Sequence, residues 1–261
     1  MAGKWFAFRP SDRSEMMSMT RPERSPIYLW LAAAGVTLTT GAAGLSEWTV
    51  ADRVDRWVFG LINGLPDLLY RPMWAVQLLG VLGAPLIAAL AALALRRPRV
   101  AIALIFLVPA KLFVEHDILK AIVHRPRPGA TISTAILRDV PTAGSAFPSG
   151  HAVILFGMTT LLVPYLGHRT RLAMGAAVVA AGFSRIYLGA HTPLDVIGGA
   201  GAGIAIGALL TLLVGVTKAA AAPRSHQPQG LSAPTSEPKA SGARVTSLGR
   251  VRIHRREVEE R

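Results

Sequence analysis

The chain has 261 residues, of which 51% are hydrophobic and only 16% charged, with no cysteine and 28 Lys+Arg against 15 Asp+Glu, a net charge of +13. A soluble domain carries about 25% charged residues and the mean hydropathy here is +0.41, so an ordinary soluble fold and a wholly disordered chain are both excluded. Without cysteine there are no disulfides, no Cys-ligated zinc and no thiol catalysis. In a soluble protein the basic excess would suggest nucleic acid. In so apolar a chain it marks loops and tails at an anionic lipid surface, and no nucleic-acid partner is expected.

In chain order, segment 1–25 carries Lys4, Arg9, Arg13, Arg21 and Arg24, and its Lys4-Trp5-Phe6-Ala7-Phe8-Arg9 run has the make-up of an interfacial anchor. Six stretches then reach the length of about 20 apolar residues that a bilayer crossing needs: 26–45, 72–95, 100–123, 149–166, 172–189 and 193–216. A cleaved signal peptide fits the first poorly, because it is longer than a usual apolar core and starts after 25 residues. Loop 46–71 sets Trp57, Val58, Phe59, Leu61, Ile62 and Leu65 beside Asp52, Arg53, Asp55 and Arg56, the pattern of a short amphipathic helix that lies in the interface, covers the bundle or gates a substrate. The third stretch is clean only to Ala110; Lys111, Glu115, His116, Asp117 and Lys120 follow. The last three are rich in small residues, including Gly198, Gly199, Gly201, Gly203 and Gly207, which let transmembrane helices approach closely. Segment 217–261 is rich in Pro, Ser, Gly and Ala and then basic, with nine Lys or Arg against four Glu; it reads as a disordered tail that meets anionic lipid or is merely solvated. The expectation is an all-α, six-transmembrane helix bundle over 26–216, flanked by 1–25 and 217–261.

Cations set the orientation. Segment 1–25, the turn Arg96-Arg97-Arg99, the turn His168-Arg169-Arg171 and the tail all fall on one side of a six-span bundle, expected to be the cytoplasm. Loops 46–71, 124–148 and 190–192 then face outward. The polar residues that are costly near a membrane cluster at the ends of spans three to six: Lys120, Arg127 and Pro128; Pro148, Ser149, Gly150 and His151; Ser184 and Arg185; His191 and Asp195. Counting passes puts all of them on the outward face.

Local chemistry points to an oxyanion. Ser149 suits a helix N-cap and Gly150 lets a ligand approach the backbone, so the fourth helix opens with free N–H groups. Thr192-Pro193 is a second helix opening, with Asp195 four residues after His191 and able to hold one imidazole tautomer. Lys120, Arg127 and Arg185 add three cations. Two histidines supply a nucleophile and a general acid, and phosphate ester hydrolysis uses all of it.

The ordered motifs Lys120-Ala-Ile-Val-His-Arg-Pro-Arg127-Pro128, Pro148-Ser149-Gly150-His151 and Ser184-Arg185-x5-His191-x3-Asp195 resemble the signature of the type 2 phosphatidic acid phosphatase family. The resemblance implies a membrane lipid phosphatase in which His191 attacks phosphorus, Asp195 orients it and raises its basicity, and His151 protonates the leaving oxygen. Lys120, Arg127, Arg185, Ser149 and the Gly150 N–H would hold phosphate oxygens, and Pro128, Pro148 and Ser184 would give support. No metal or other cofactor is needed. The implied substrate is a membrane lipid phosphate or diphosphate: a polyprenyl carrier, phosphatidic acid or phosphatidylglycerol phosphate. Alternatives are a lipid phosphotransferase, a vanadate-dependent haloperoxidase, an anion transporter and an inactive scaffold. A metal held by His191 and Asp195 is disfavoured by the surrounding cations. His116 and His124 read as bystanders, Glu115 and Asp117 as partners of Lys111 or Lys120 or as water-facing groups, and Arg125 as a contact for headgroups or lipid rather than for catalysis.

Overall fold

The computed structural model describes residues 25–215. The expectations for segment 1–25 other than its last residue, and for 216–261, lie outside the described residues. Those described form helices and turns, with no strand among them. In chain order these are α1 (Ile27–Glu47), α2 (Thr49–Asn63), α3 (Tyr70–Gln77, flanked by two 3-10 turns), α4 (Ala84–Ala94), α5 (Pro98–Leu112), α6 (Pro128–Thr131), α7 (Gly150–Leu162), α8 (His168–Tyr187) and α9 (Pro193–Val214). Helix α5 runs on without a break through a π-helical stretch, Phe113–Leu119, and a last α turn, Lys120–Ile122.

α9 is the central column, packed along α1, α7 and α5. Its glycines make this approach possible. A Cβ on Gly201 would lie 2.6 Å from the Gly35 carbonyl oxygen of α1, and one on Gly203 would lie 2.5 Å from the Val153 carbonyl oxygen of α7. With the backbones this close, Thr39 of α1 donates across the interface to the Gly198 carbonyl at 3.1 Å. Small-residue packing of this kind is how helices associate where lipid supplies no hydrophobic drive. Leu104, Leu107, Val153, Leu161, Ile206 and Leu210 fill the space between α5, α7 and α9. The outer faces are apolar as well: Trp30, Ile87, Leu90, Val179 and Leu213 are all exposed, as befits side chains whose solvent is hydrocarbon.

Helices α1 and α9 are each long and apolar enough to cross a membrane. The expected second span is not one helix. It breaks at residues 81–83, and Asp67–Gly80 meets Ala84–Ala94 at 62°. The apolar run hides a bend, because the glycines at 80 and 83 and Pro85 interrupt the helix without lowering hydropathy. The expected third, fourth and fifth spans correspond to α5 with its extension, α7 with the 3-10 turn Val163–Tyr165, and α8. α7 is short, and α5 and α8 carry charged residues inside or at their ends; among the described residues two helices, or three spans if the bent pair counts as one, are long and apolar enough to cross a membrane, fewer than the six expected.

α2 is the helix expected within loop 46–71. Phe59 and Asp55 are buried, whereas Val50, Val54, Trp57 and Leu61 are exposed. Behind it, Arg138 fastens the 124–148 loop to the bundle. It donates to the carbonyls of Asn63, Leu65 and Tyr187 and to Asp67, and it stacks 4.2 Å above the Tyr187 ring.

The α1–α9 contact predicts that Gly201→Val lowers stability by about 1–3 kcal/mol, read as a fall in unfolding temperature in detergent. Gly41→Ala on the open face of α1, where a Cβ meets nothing within 4 Å, should leave that temperature unchanged or raise it.

Candidate functional site

Every cation and histidine expected at the site reaches one cavity of about 440 Å³. Lys120 comes from the end of the α5 extension, Arg127 from the loop after it, Gly150 and His151 from the start of α7, Arg185 from the last turn of α8, and His191 from the turn before α9. These are the ends that parity assigned to a single face.

The π stretch explains how α5 contributes. Residues five apart in an α-helix point about 140° away from each other. A π turn, with its i→i+5 spacing, brings them into line. Glu115 and Lys120 therefore share a face with Lys111. The Glu115 carboxylate is 2.5 Å from both ammonium nitrogens, which confirms its pairing with the two lysines. Asp117, His116 and His124 are exposed. Lys111 was not among the expected site residues, yet it lines the same cavity. Gly150 does permit close approach, and what comes close is Glu115: a Cβ there would stand 2.6 Å from a carboxylate oxygen.

Arg127 donates from Nε to the Ala143 carbonyl at 3.0 Å and from Nη1 to the Ala190 carbonyl at 3.1 Å, so the loop beside His191 fixes its direction. Arg185 is buried and donates from Nη1 to Gln77 Oε1. Gln77, another unexpected residue of the lining, comes from the lower arm of the bent second span. Ser149 occupies the N-cap position of α7, but its hydroxyl makes no capping bond, which corrects the capping expectation. Apart from Glu115 Oε2, which is ion-paired with Lys111 at 2.5 Å, three buried polar atoms in or beside the cavity have no hydrogen-bond partner among the described residues: Ser149 Oγ, Arg185 Nε and His191 Nδ1. Leaving a buried donor or acceptor unpaired costs about 1–3 kcal/mol, and these orphans collect at one place.

His191 is 3% exposed. Its Nδ1 lies 3.8 Å from Asp195 Oδ2, beyond hydrogen-bond length. Burial pushes the imidazole below the usual histidine range; Asp195 opposes this, and Arg185 and Arg127 reinforce it. Asp195 stands behind the lining, fully buried, at the third position of α9 as expected. Oδ2 accepts the Thr192 N–H at 2.8 Å, and Oδ1 accepts Arg125 Nη1 at 3.0 Å. The Asp195 carbonyl also accepts the Ser149 N–H at 2.9 Å, which ties the second motif to the third. Ser184 is buried and donates to the Ala181 carbonyl within its own helix; Pro128 opens α6, and Pro148 is buried just before Ser149.

Arg125 departs most from expectation. It does not point to lipid. It is 9% exposed and makes four side-chain bonds: Nη1 to Thr192 Oγ1 at 2.6 Å and Asp195 at 3.0 Å, and Nη2 to Asp52 at 2.7 Å and Asp55 at 2.6 Å. Asp55 also accepts the Leu194 N–H at 2.8 Å. The signal in the sequence was the pair Asp52 and Asp55, three apart on one side of an otherwise amphipathic helix.

Residues 99–218 match the PAP2 superfamily. Lipid A 1-phosphatase of Rhizobium johnstonii is 34% identical over 107 residues, 38% of this chain and 41% of that protein. Lipid A 1-phosphatase of Rhizobium etli is 34% identical over 110 residues, 40% of this chain and 44% of that protein. This chain therefore spans about two fifths of the length of these curated relatives. Among solved structures, a transmembrane PAP2-type phosphatidylglycerolphosphate phosphatase from Bacillus subtilis superimposes with a TM-score of 0.55 at 22% identity, covering 69% of this chain and 94% of that one. That likeness establishes the fold.

The unpartnered atoms predict an oxyanion ligand. Vanadate at about 100 times its dissociation constant should stabilise the folded protein by about 2.7 kcal/mol, seen as a raised unfolding temperature. Arg185→Gln should lose most of that rise; equal rises in both proteins would place the oxyanion elsewhere.

Proposed function

We propose that this chain, whose residues 99–218 match the PAP2 superfamily, is an integral-membrane phosphatase that hydrolyses a lipid phosphate or diphosphate through a phosphohistidine at His191. The observation that carries this reading is the convergence of two imidazoles, those of His151 and His191, and three cations, Lys120, Arg127 and Arg185, on one cavity, with Arg185 Nε and His191 Nδ1 unpartnered. The lipid A 1-phosphatase names of the two Rhizobium relatives support it, and they add lipid A to the polyprenyl, phosphatidic acid and phosphatidylglycerol phosphate candidates.

In the proposed reaction a nitrogen of neutral His191 attacks phosphorus as the bond from phosphorus to the lipid oxygen breaks. The electron pair leaves with that oxygen, and His151 supplies its proton. Lys120, Arg127, Arg185, Ser149 Oγ and the Gly150 N–H hold the three remaining oxygens where charge builds up. Asp195 orients His191, closing from 3.8 Å to bonding distance as the imidazole becomes positive. Water then attacks phosphorus and gives a proton to His151, the phosphorus–nitrogen bond breaks, and phosphate leaves. Burial lowers the basicity of His191, so it stays neutral to lower pH than an ordinary histidine; protonation on further acidification removes the nucleophile.

The site is proposed to face outward, with both termini cytoplasmic, because the basic turns Arg96-Arg97-Arg99 and His168-Arg169-Arg171 lie at the opposite ends of the helices that bear it. A substrate with its headgroup at this depth can enter laterally. Transfer to an acceptor other than water remains the second reading, since a phosphohistidine does not dictate what accepts the phosphoryl group.

The test is phosphate release from a panel of purified lipid phosphates and diphosphates in detergent. The wild type should hydrolyse at least one, and His191→Ala should reduce the rate to background. His151→Ala should lose about 10²–10⁴-fold on alkyl phosphates and much less on aryl phosphates, whose leaving groups need no proton. Full activity in His191→Ala would remove it as the nucleophile.

A further inference from the structure

The buried group Asp52–Asp55–Arg125–Thr192–Asp195 is larger than a site of this chemistry needs. Asp195 could be held by the Thr192 N–H and a single cation. Instead, the cation that holds it is shared. The Arg125 fork has one nitrogen on α9, at Asp195 and Thr192, and the other on α2, at Asp52 and Asp55. Three carboxylates surround the Arg125 guanidinium, and Asp52, the partly exposed one, is also paired with Arg56 at 2.6 Å. A further contact, from the Leu194 N–H to Asp55, closes the ring onto the first turn of α9. Nothing in this ring touches the cavity directly: Asp52, Asp55, Arg125 and Asp195 all lie behind its lining.

We propose that Arg125, with Asp52 and Asp55 of α2, is a positioning device that sets both the place and the effective charge of Asp195, and so the nucleophilicity of His191. The inference rests on the phosphohistidine reading above. The geometry carries two separate effects. The planar fork of arginine fixes the Asp195 carboxylate rigidly, which an ammonium could not do. In addition, the positive charge of Arg125 is divided among three carboxylates, so it does not fully neutralise Asp195. Asp195 keeps the negative charge that stabilises an imidazolium forming at His191. An arginine paired with Asp195 alone would quench that charge.

The other charged groups that line the cavity with His191 are Arg185 from α8, Arg127 from the motif loop, His151 from α7, the Lys111–Glu115–Lys120 set on the α5 wall and Asp139 of the 124–148 loop. All except Glu115 and Asp139 are cationic or become so on protonation, and each of these opposes a positive imidazole. Asp195 is the one carboxylate beside the ring, at 3.8 Å. Any loss of its effective charge should therefore register at His191.

Asp52→Asn is the discriminating variant. Asp52 is partly exposed, and its side-chain oxygen can go on accepting Arg125 while one negative charge is removed. With one carboxylate fewer, Arg125 draws harder on Asp195, and His191 becomes less basic. On the preferred lipid phosphate, kcat should fall about tenfold or more while KM changes less than about threefold. The acid limb of the kcat–pH profile should move to lower pH. Asp52→Glu should restore both the rate and the limb. Arg125→Lys, which keeps the charge without the fork, should recover folding, judged by unfolding temperature, but only part of kcat. The inference is overturned if Asp52→Asn, folded and binding vanadate like the wild type, keeps wild-type kcat and an unmoved acid limb. It is also overturned if the limb moves to higher pH. A wild type that releases phosphate from no lipid phosphate and does not bind vanadate would sink the phosphatase reading itself, a different failure from either of these.

Discussion

A fully buried carboxylate governs the end of this bundle that holds the cavity. Asp195 has no exposed surface, and an unpaired charge in such a place would cost several kcal/mol. It is tolerable only because each oxygen receives a donor, one from the Thr192 backbone and one from Arg125. Arg125 is then a buried cation with its own demands, which Asp52 and Asp55 satisfy. This chain of compensation draws α2 down against the start of α9 and leaves its apolar edge facing out. The Asp195 carbonyl meanwhile accepts the Ser149 N–H. Three segments far apart in sequence are thus joined through one residue, and the cavity forms where they meet.

The α5 wall shows the same logic with the signs reversed. Lys111 and Lys120 are cations near an apolar core, and Glu115 neutralises part of their charge from between them. An unbroken α-helix could not place all three on one side. The π turn at Phe113–Leu119 does so, at the expense of regular hydrogen bonding in a region where two lysines need a common partner. The cavity therefore presents more positive than negative charge without leaving any lysine alone, a balance suited to an anion with more than one charge.

Much of this was legible in the sequence because membrane segments obey simple rules. Apolar length located α1, α5, α7, α8 and α9, and alternation of passes gathered Lys120, Arg127, His151, Arg185 and His191 at one end. Close glycine packing of α9 also followed from composition. The bend at residues 81–83 did not, because hydropathy averages over direction and an apolar turn scores like an apolar helix. Nor did the role of Arg125: its partners lie some seventy positions away on either side, and only the acidic pair Asp52 and Asp55 hinted that α2 needed a cation. The Ser149 hydroxyl and the Lys111–Glu115–Lys120 face depended on details of helix pitch and rotamer that residue identity does not carry.

The central claim, that His191 is the group that takes the phosphoryl unit, is tested most directly by trapping it. Wild-type protein turning over a lipid substrate labelled on phosphorus would be quenched in alkali, where phosphohistidine survives, and the label located by peptide mapping. The account predicts label on the peptide bearing His191 and none in His191→Ala. Sustained turnover with no label on the protein, or label on another residue, would contradict it.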